Sequence, residues 1–241
     1  MISLHNLKKK YAGKTVLNIE QLQIEKGQCL GVVGNNGAGK TTMLSLMLDI
    51  IRASEGEVHS DGKPVAGSEH WKQYTTAYLN ERFLIPFLSP MEFLEYVGKL
   101  HGKNKSDLEV FLEANSGFYQ EDIKSRKYIR ELSAGNKDKT GILATLLPDP
   151  QVLILDEPFA HLDPTSQSWL KTRLRHLHRQ GTTIIVSSHD LKHVTEVCSR
   201  IVLLEEGVVI KDISATEDTL NQLEEYFKAK GVFAEKFENG R

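Results

Sequence analysis

An α/β fold with an antiparallel β region at its N-terminus and a mostly helical insert is predicted for this 241-residue chain by three observations. An apolar run, Cys29-Leu-Gly-Val-Val33, enters a glycine-rich loop and then a helix-spaced segment. After residue 132, strand-like and helix-like stretches alternate, as they do when helices cover a mostly parallel sheet. Between about 82 and 131 that alternation stops and polar, helix-compatible sequence takes over.

The first 25 residues alternate loosely (Ile2, Leu4, Leu7; Val16, Leu17, Ile19; Leu22, Ile24), which predicts short antiparallel strands. Behind the glycine-rich loop, Met43, Leu46 or Met47, and Ile50, with Leu44, Leu48 and Ile51, give a helix. A Gly- and Ser-rich, strand-poor stretch reaches to about residue 70, and 74–79 reads as a strand. Pro86 and Pro90 punctuate a loop, after which Met91, Phe93, Leu94, Val97 and Leu100 have helical spacing; 103–127 is polar with scattered Leu108, Phe111 and Leu112.

A helix follows over 134–147, and Val152-Leu-Ile-Leu155 is a strand buried on both faces. Asp163 caps a helix with Pro164 at its first position and Leu170, Leu174 and Leu177 inward. Thr182-Thr-Ile-Ile-Val186 is the next strand, and Asp190 caps a helix carrying Leu191, Val194 and Cys198. A hairpin turns at Glu206-Gly207, and the segment from 215 is an amphipathic tail (Leu220, Leu223, Tyr226, Phe227).

Composition excludes several classes. A net charge of −2 offers no basic field, so no nucleic-acid partner is expected. Two cysteines, Cys29 and Cys198, are too few for a disulfide framework and read as small core residues. No apolar run approaches the ~18 residues of a membrane span. With a strand-like N-terminal segment in place of a signal peptide, a cytoplasmic location is expected.

The chemistry starts at Gly34, Asn35, Asn36, Gly37, Ala38, Gly39, Lys40, Thr41 and Thr42. Glycines let successive N–H groups converge on one anion, and the helix N-terminus adds positive potential. Lys40 then reaches the β- and γ-phosphates of a nucleoside triphosphate, and the Thr41 hydroxyl is placed for Mg²⁺. Strand 152–155 ends in Asp156 and Glu157, the first acid suited to the cation and the second to polarising a water. His189 stands just past the neighbouring strand, where ligands sit in open α/β sheets. Ser133 opens a helix with Ala134 and Gly135, a second helix N-terminus that an anion could approach.

In this order, these segments resemble the ATP-binding subunit of ABC transporters, over essentially the whole chain. The resemblance implies a P-loop NTPase core at 1–81 and 132–213, a helical subdomain at 82–131 and a C-terminal helical tail at 214–241. It makes Asp156 the Walker B aspartate, Glu157 the catalytic glutamate, His189 the switch histidine and Leu162-Asp163 the dimer-contact D-loop. Tyr11 falls where the family stacks an aromatic on adenine. Ser133 and Gly135 match the signature motif that meets the γ-phosphate held by the opposite subunit. The cofactors implied are ATP and Mg²⁺. The partners implied are a second ATP-binding subunit, as a homodimer, and an integral membrane subunit that holds the chain at the inner face of the cell membrane.

Two positions depart from the family pattern. The signature usually reads Leu-Ser-Gly-Gly-Gln, and here it reads Leu132-Ser133-Ala134-Gly135-Asn136; Ala134 is acceptable if its backbone is helical. Glu81 stands where glutamine is usual, still offers an oxygen to Mg²⁺, and is similar to relatives that export drugs, bacteriocins and sodium. Phe83-Leu84-Ile85-Pro86-Phe87 is expected to face the membrane subunit or to pack the insert on the core. The other readings are a soluble ABC-type ATPase acting on ribosome or DNA, or a non-hydrolysing ATP-gated regulatory subunit. Intact Asp156, Glu157 and His189 weigh against the latter.

Overall fold

A computed structural model describes residues 2–119 and 127–238, with side chains as far as 229. Strands β1 (Ile2–Tyr11) and β2 (Lys14–Ile24) pair antiparallel from Ile2↔Ile24 to Tyr11↔Lys14. Their turn, Ala12-Gly13, has φ of 47° and 81°, the positive pair that suits the twist of a hairpin. These strands are longer than the short ones the sequence suggests.

The stretch before residue 70 is a correction, because it holds two strands. β4 (Glu55–Ser60) pairs β1, and β5 (Lys63–Pro64) pairs β4, completing a sheet of order β2-β1-β4-β5. Val58 is the one apolar residue of β4 and is buried. An edge strand anchored by a single apolar side chain leaves almost no period-2 signal to read.

The larger sheet runs in the order β10-β9-β3-β8-β7-β6. It comprises β3 (Cys29–Val33), β6 (Thr75–Tyr78), β7 (Val152–Asp156), β8 (Thr183–Ser188), β9 (Arg200–Glu205) and β10 (Val208–Ser214). All its pairings are parallel except that of the β9–β10 hairpin. Successive side chains of a strand face opposite ways. Leu30, Val32, Val152, Ile154 and Ile185 therefore join one core with α1 (Lys40–Met47) and the N-terminal sheet. Cys29, Val33, Leu153, Leu155, Ile184 and Val186 join the other core.

That second core is covered by α2 (Pro90–Leu100), α4 (Ala134–Leu146), α5 (Pro164–Arg179), α6 (Leu191–Thr195) and α7 (Thr219–Glu238). An isolated helix of eight residues is marginal in water. α1 persists because Met43, Leu44, Leu46 and Met47 are buried, each side chain stabilising by roughly 1.5–3 kcal/mol.

Caps set the helix starts. Ser89 and Glu92 form a capping box at α2, and Asn104 and Asp107 form another at α3 (Lys105–Ala114). Residues 120–126 of the expected helical insert lie outside the described residues. Two helices are shorter than their spacing suggests. α1 stops at Met47, Asp49 turns through φ 49°, and Ile50 is exposed. α6 stops at Thr195, so Cys198 lies beyond it, although it remains buried with its Sγ 3.5 Å from that of Cys29.

Candidate active site

Three parallel strands end side by side: Val33 pairs with Ser188, and Asp156 with Ser187. The phosphate loop after β3, the two acids at the end of β7 and the histidine after β8 therefore emerge at one sheet edge. The loop needs its glycines for different reasons. Gly37 (φ 83°) and Gly39 (φ 103°) adopt left-handed backbone. Gly34 admits no side chain, since a Cβ there would lie 2.2 Å from the Leu204 carbonyl oxygen.

Lys40 is buried, and its ammonium donates to the Gly34 carbonyl at 2.7 Å. Tyr11, Val16, Asn36, Gly37, Ala38, Gly39, Lys40, Thr41, Thr42 and Glu157 line a cleft of about 320 Å³. Tyr11 is half exposed there, with the Lys9 ammonium 4.8 Å from its ring centre. Ser133 and Gly135 are not among the residues that line this cleft.

Asp156 accepts from the Thr41 hydroxyl at 2.5 Å and from the Ser187 hydroxyl. Burial pushes its carboxyl above the usual carboxylate range, against those two hydrogen bonds, which pull it down. Glu157 has φ 47°, an uncommon backbone for a residue with a side chain, and its N–H donates to Ser187 Oγ at 3.0 Å. Its carboxylate accepts from His189 Nδ1 at 2.8 Å and from the His189 N–H at 3.2 Å. Its other oxygen is 3.1 Å from Lys40 Nζ. One carboxylate thus joins the phosphate-loop lysine to the histidine of the next strand.

A second cleft, about 470 Å³, adjoins the first through Thr41 and Glu157, and Asp156, Glu81, Ala134, Asp138 and His161 are among its lining residues. Glu81 reaches across it to Lys137 Nζ at 2.8 Å, and that lysine holds the Glu81 carboxyl below the usual range. Ser133 accepts from the Asn136 N–H and caps α4, as the sequence suggests. Ala134 is helical, which is why a side chain is tolerated there. Asp163 caps α5, accepting from the Ser166 N–H and hydroxyl, and pairs with Lys139 at 3.0 Å. Four residues of this region escape sequence reasoning: Ser187, Lys137, Asp138 and His161. A carboxylate early in a buried helix is the signal that Asp138 carried.

The donor set fits an ATP–Mg²⁺ pair. The loop supplies a glycine-rich backbone at the start of α1 and a buried ammonium, and Thr41 and Asp156 supply hard oxygens at its edge. Among the described residues, no three His, Cys, Asp or Glu side chains are arranged to hold a metal unaided.

Comparison with known proteins agrees. The ABC transporter family profile matches residues 17–160. The chain is 34% identical over 199 residues to an uncharacterised ABC transporter ATP-binding protein of Synechocystis, covering 81% of this chain and 56% of that one. It is 33% identical over 225 residues to the bacitracin transport ATP-binding protein BcrA of Enterococcus faecalis, covering 90% of this chain and 70% of that one. A dimeric ATP-binding cassette solved with ADP and Pi superposes with a TM-score of 0.75 at 23% identity, over 90% of this chain and 99% of that one, and shows the shared fold. With its phosphate loop, paired acids and histidine gathered at one sheet edge, the chain belongs to the ABC transporter family and is similar to its ATP-binding subunits.

Proposed function

We propose that the chain closes as a dimer around two ATP molecules and uses their hydrolysis to drive transport, in the export direction, through a separate membrane subunit. The observation that carries this is the Glu157 carboxylate, held by His189 at 2.8 Å and standing 3.1 Å from Lys40. ATP offers Lys40 its β- and γ-phosphates in exchange for Glu157, which frees that carboxylate to take a proton from the attacking water. His189 orients Glu157 and donates to charge developing on the γ-phosphoryl group. Mg²⁺ would supply neutralisation of phosphate charge when bound, and Thr41 and Asp156 would hold it, with the Glu81 carboxylate as a further candidate ligand. Tyr11 stacks on the base.

Asn35, Asn36, Ala38 and Thr42 offer N–H groups to the phosphates, and Ser133 and Gly135 complete the opposite subunit's site, with Asp163 in the dimer contact. The core comprises 1–81 and 132–213, the helical subdomain 82–131 and the tail 214–241. No helix among the described residues is long and apolar enough to cross a membrane. Exposed Phe83 and Phe87 support a surface for the membrane subunit beside Glu81, and a peripheral position at the cytoplasmic face goes with that reading.

Glu157→Gln tests the reading. It should abolish turnover and trap an ATP-dependent dimer in size-exclusion chromatography, while the unaltered chain co-purifies with a membrane protein from detergent extracts. Unchanged turnover would remove Glu157 as the catalytic base.

A further inference from the structure

The start of α4 is tied to the turn that follows the two acids. Asp138 is buried and uses both carboxylate oxygens: one accepts from the Tyr78 hydroxyl at 2.7 Å, the other from His161 Nδ1 at 2.8 Å. Tyr78 ends β6, three residues before Glu81. Burial and the Asp138 carboxylate push its hydroxyl well above the usual tyrosine range, so it remains a donor. His161 lies between Glu157 and Asp163, and its side chain is largely exposed, at 61%. Two more contacts join the same pieces. The Gly135 backbone lies so close to the His161 carbonyl that a Cβ would meet it at 2.6 Å, and Lys139 pairs with Asp163 at 3.0 Å.

We propose that Asp138 and His161 are positioning residues that make the opening of α4 and the turn behind Glu157 move as one body. This rests on the dimer reading, in which Ser133 at the head of α4 serves the opposite subunit's ATP. One subunit then presents its own catalytic acid to one nucleotide and its Ser133 to the other. The Asp138–His161 bond joins the two, and so couples the two ATP sites. Neither residue is among those lining the phosphate-loop cleft, although both line the adjoining one with Asp156 and Glu81, so nucleotide affinity of a single subunit should change much less than turnover. A charge-assisted hydrogen bond at half-buried depth is strong enough to hold this register, whereas a solvent-exposed ion pair is not.

His161→Ala is the primary variant, because it removes an exposed side chain and leaves the Asp138 carboxylate its bond from Tyr78. ATPase turnover should fall about tenfold and the Hill coefficient for ATP should drop towards one, while fluorescent-nucleotide affinity of the isolated subunit stays within about twofold. His161→Asn, which returns a donor near the Nδ1 position, should restore both. Asp138→Ala, which also releases the Tyr78 hydroxyl, should lower turnover at least as far as His161→Ala, and the double variant should be no worse than Asp138→Ala, as a shared bond requires.

Wild-type turnover and cooperativity in His161→Ala would overturn the proposal, and so would failure of His161→Asn to rescue, or an affinity loss equal to the turnover loss. Glu157→Gln separates the two levels. If it forms no ATP-dependent dimer, the dimer reading falls and the coupling with it; if it dimerises while His161→Ala behaves as wild type, the coupling alone falls.

Discussion

Gly135→Ala isolates what the head of α4 contributes. The added Cβ would lie 2.6 Å from the His161 carbonyl oxygen, where real contacts do not go below 3.0 Å, so helix and turn must part by about 0.4 Å or more. The obstacle is backbone, and no side-chain rotamer relieves it. Overpacking of this kind costs roughly 1–3 kcal/mol. For a chain of this size that lowers Tm by roughly 2–12 °C.

The displacement is transmitted to Ser133, two residues away, and to the turn behind Glu157. Misplacement approaching 1 Å at a reacting centre costs up to about 100-fold in rate, so turnover should fall between about 10- and 100-fold. Nucleotide affinity of the single subunit should stay within about twofold, since the phosphate loop is untouched. Calorimetry gives Tm, a coupled phosphate-release assay gives turnover, and a fluorescent nucleotide gives affinity. Wild-type Tm and turnover would refute the steric reasoning, and a parallel loss of affinity would refute the assignment of Gly135 to a site completed across a dimer.

Two further outcomes follow from other contacts. Glu81→Gln removes the ion pair to Lys137 and should raise the Mg²⁺ concentration for half-maximal ATPase severalfold; an unchanged magnesium titration would make Glu81 untenable as a metal ligand. Asp163→Ala deletes the α5 cap and should cost about 1 kcal/mol in denaturant unfolding at neutral pH. Hydrogen bonds from Ser166 and Lys139 hold the Asp163 carboxyl below its ordinary 3.8, so its contribution is complete above that pH and is lost as pH falls through the lower folded value. The difference between wild type and variant should therefore be constant from about pH 5 to 8 and shrink only below about pH 4; a difference that shrinks between pH 5 and 8 would contradict this.

The parts of the fold that were legible share one physical property: their signal is local. Cys29–Val33 and Val152–Asp156 are apolar on both faces because helices cover both sides of a parallel sheet, and that leaves an unbroken run. Ser133, Asp163 and Asp190 mark helix starts because a side-chain acceptor satisfies backbone donors within three residues of itself. β4 leaves little local signal because its partner, β1, lies some 50 residues away in sequence and only Val58 of its side chains is apolar, and β5, paired to β4, is two exposed residues with no periodicity. The early stop of α1 was missed because Ile50 has the right spacing yet lies beyond a left-handed turn at Asp49.

By itself the sequence marked a nucleoside-triphosphate site and named the residues expected around its phosphates, because glycines, lysine, acids and histidine act through fixed chemistry at fixed local spacing. Only the tertiary structure decided what those groups hold in turn. Parallel pairing of β3, β8 and β7 brings Lys40 and His189 to one carboxylate, that of Glu157, and sets Ser187 beneath Asp156. The packing of α4 against β6 and the 160–163 turn gives Glu81 to Lys137 and His161 to Asp138. Those pairings join residues 23 and 56 positions apart, and contacts of that range are set by how elements pack, which spacing along a chain does not encode.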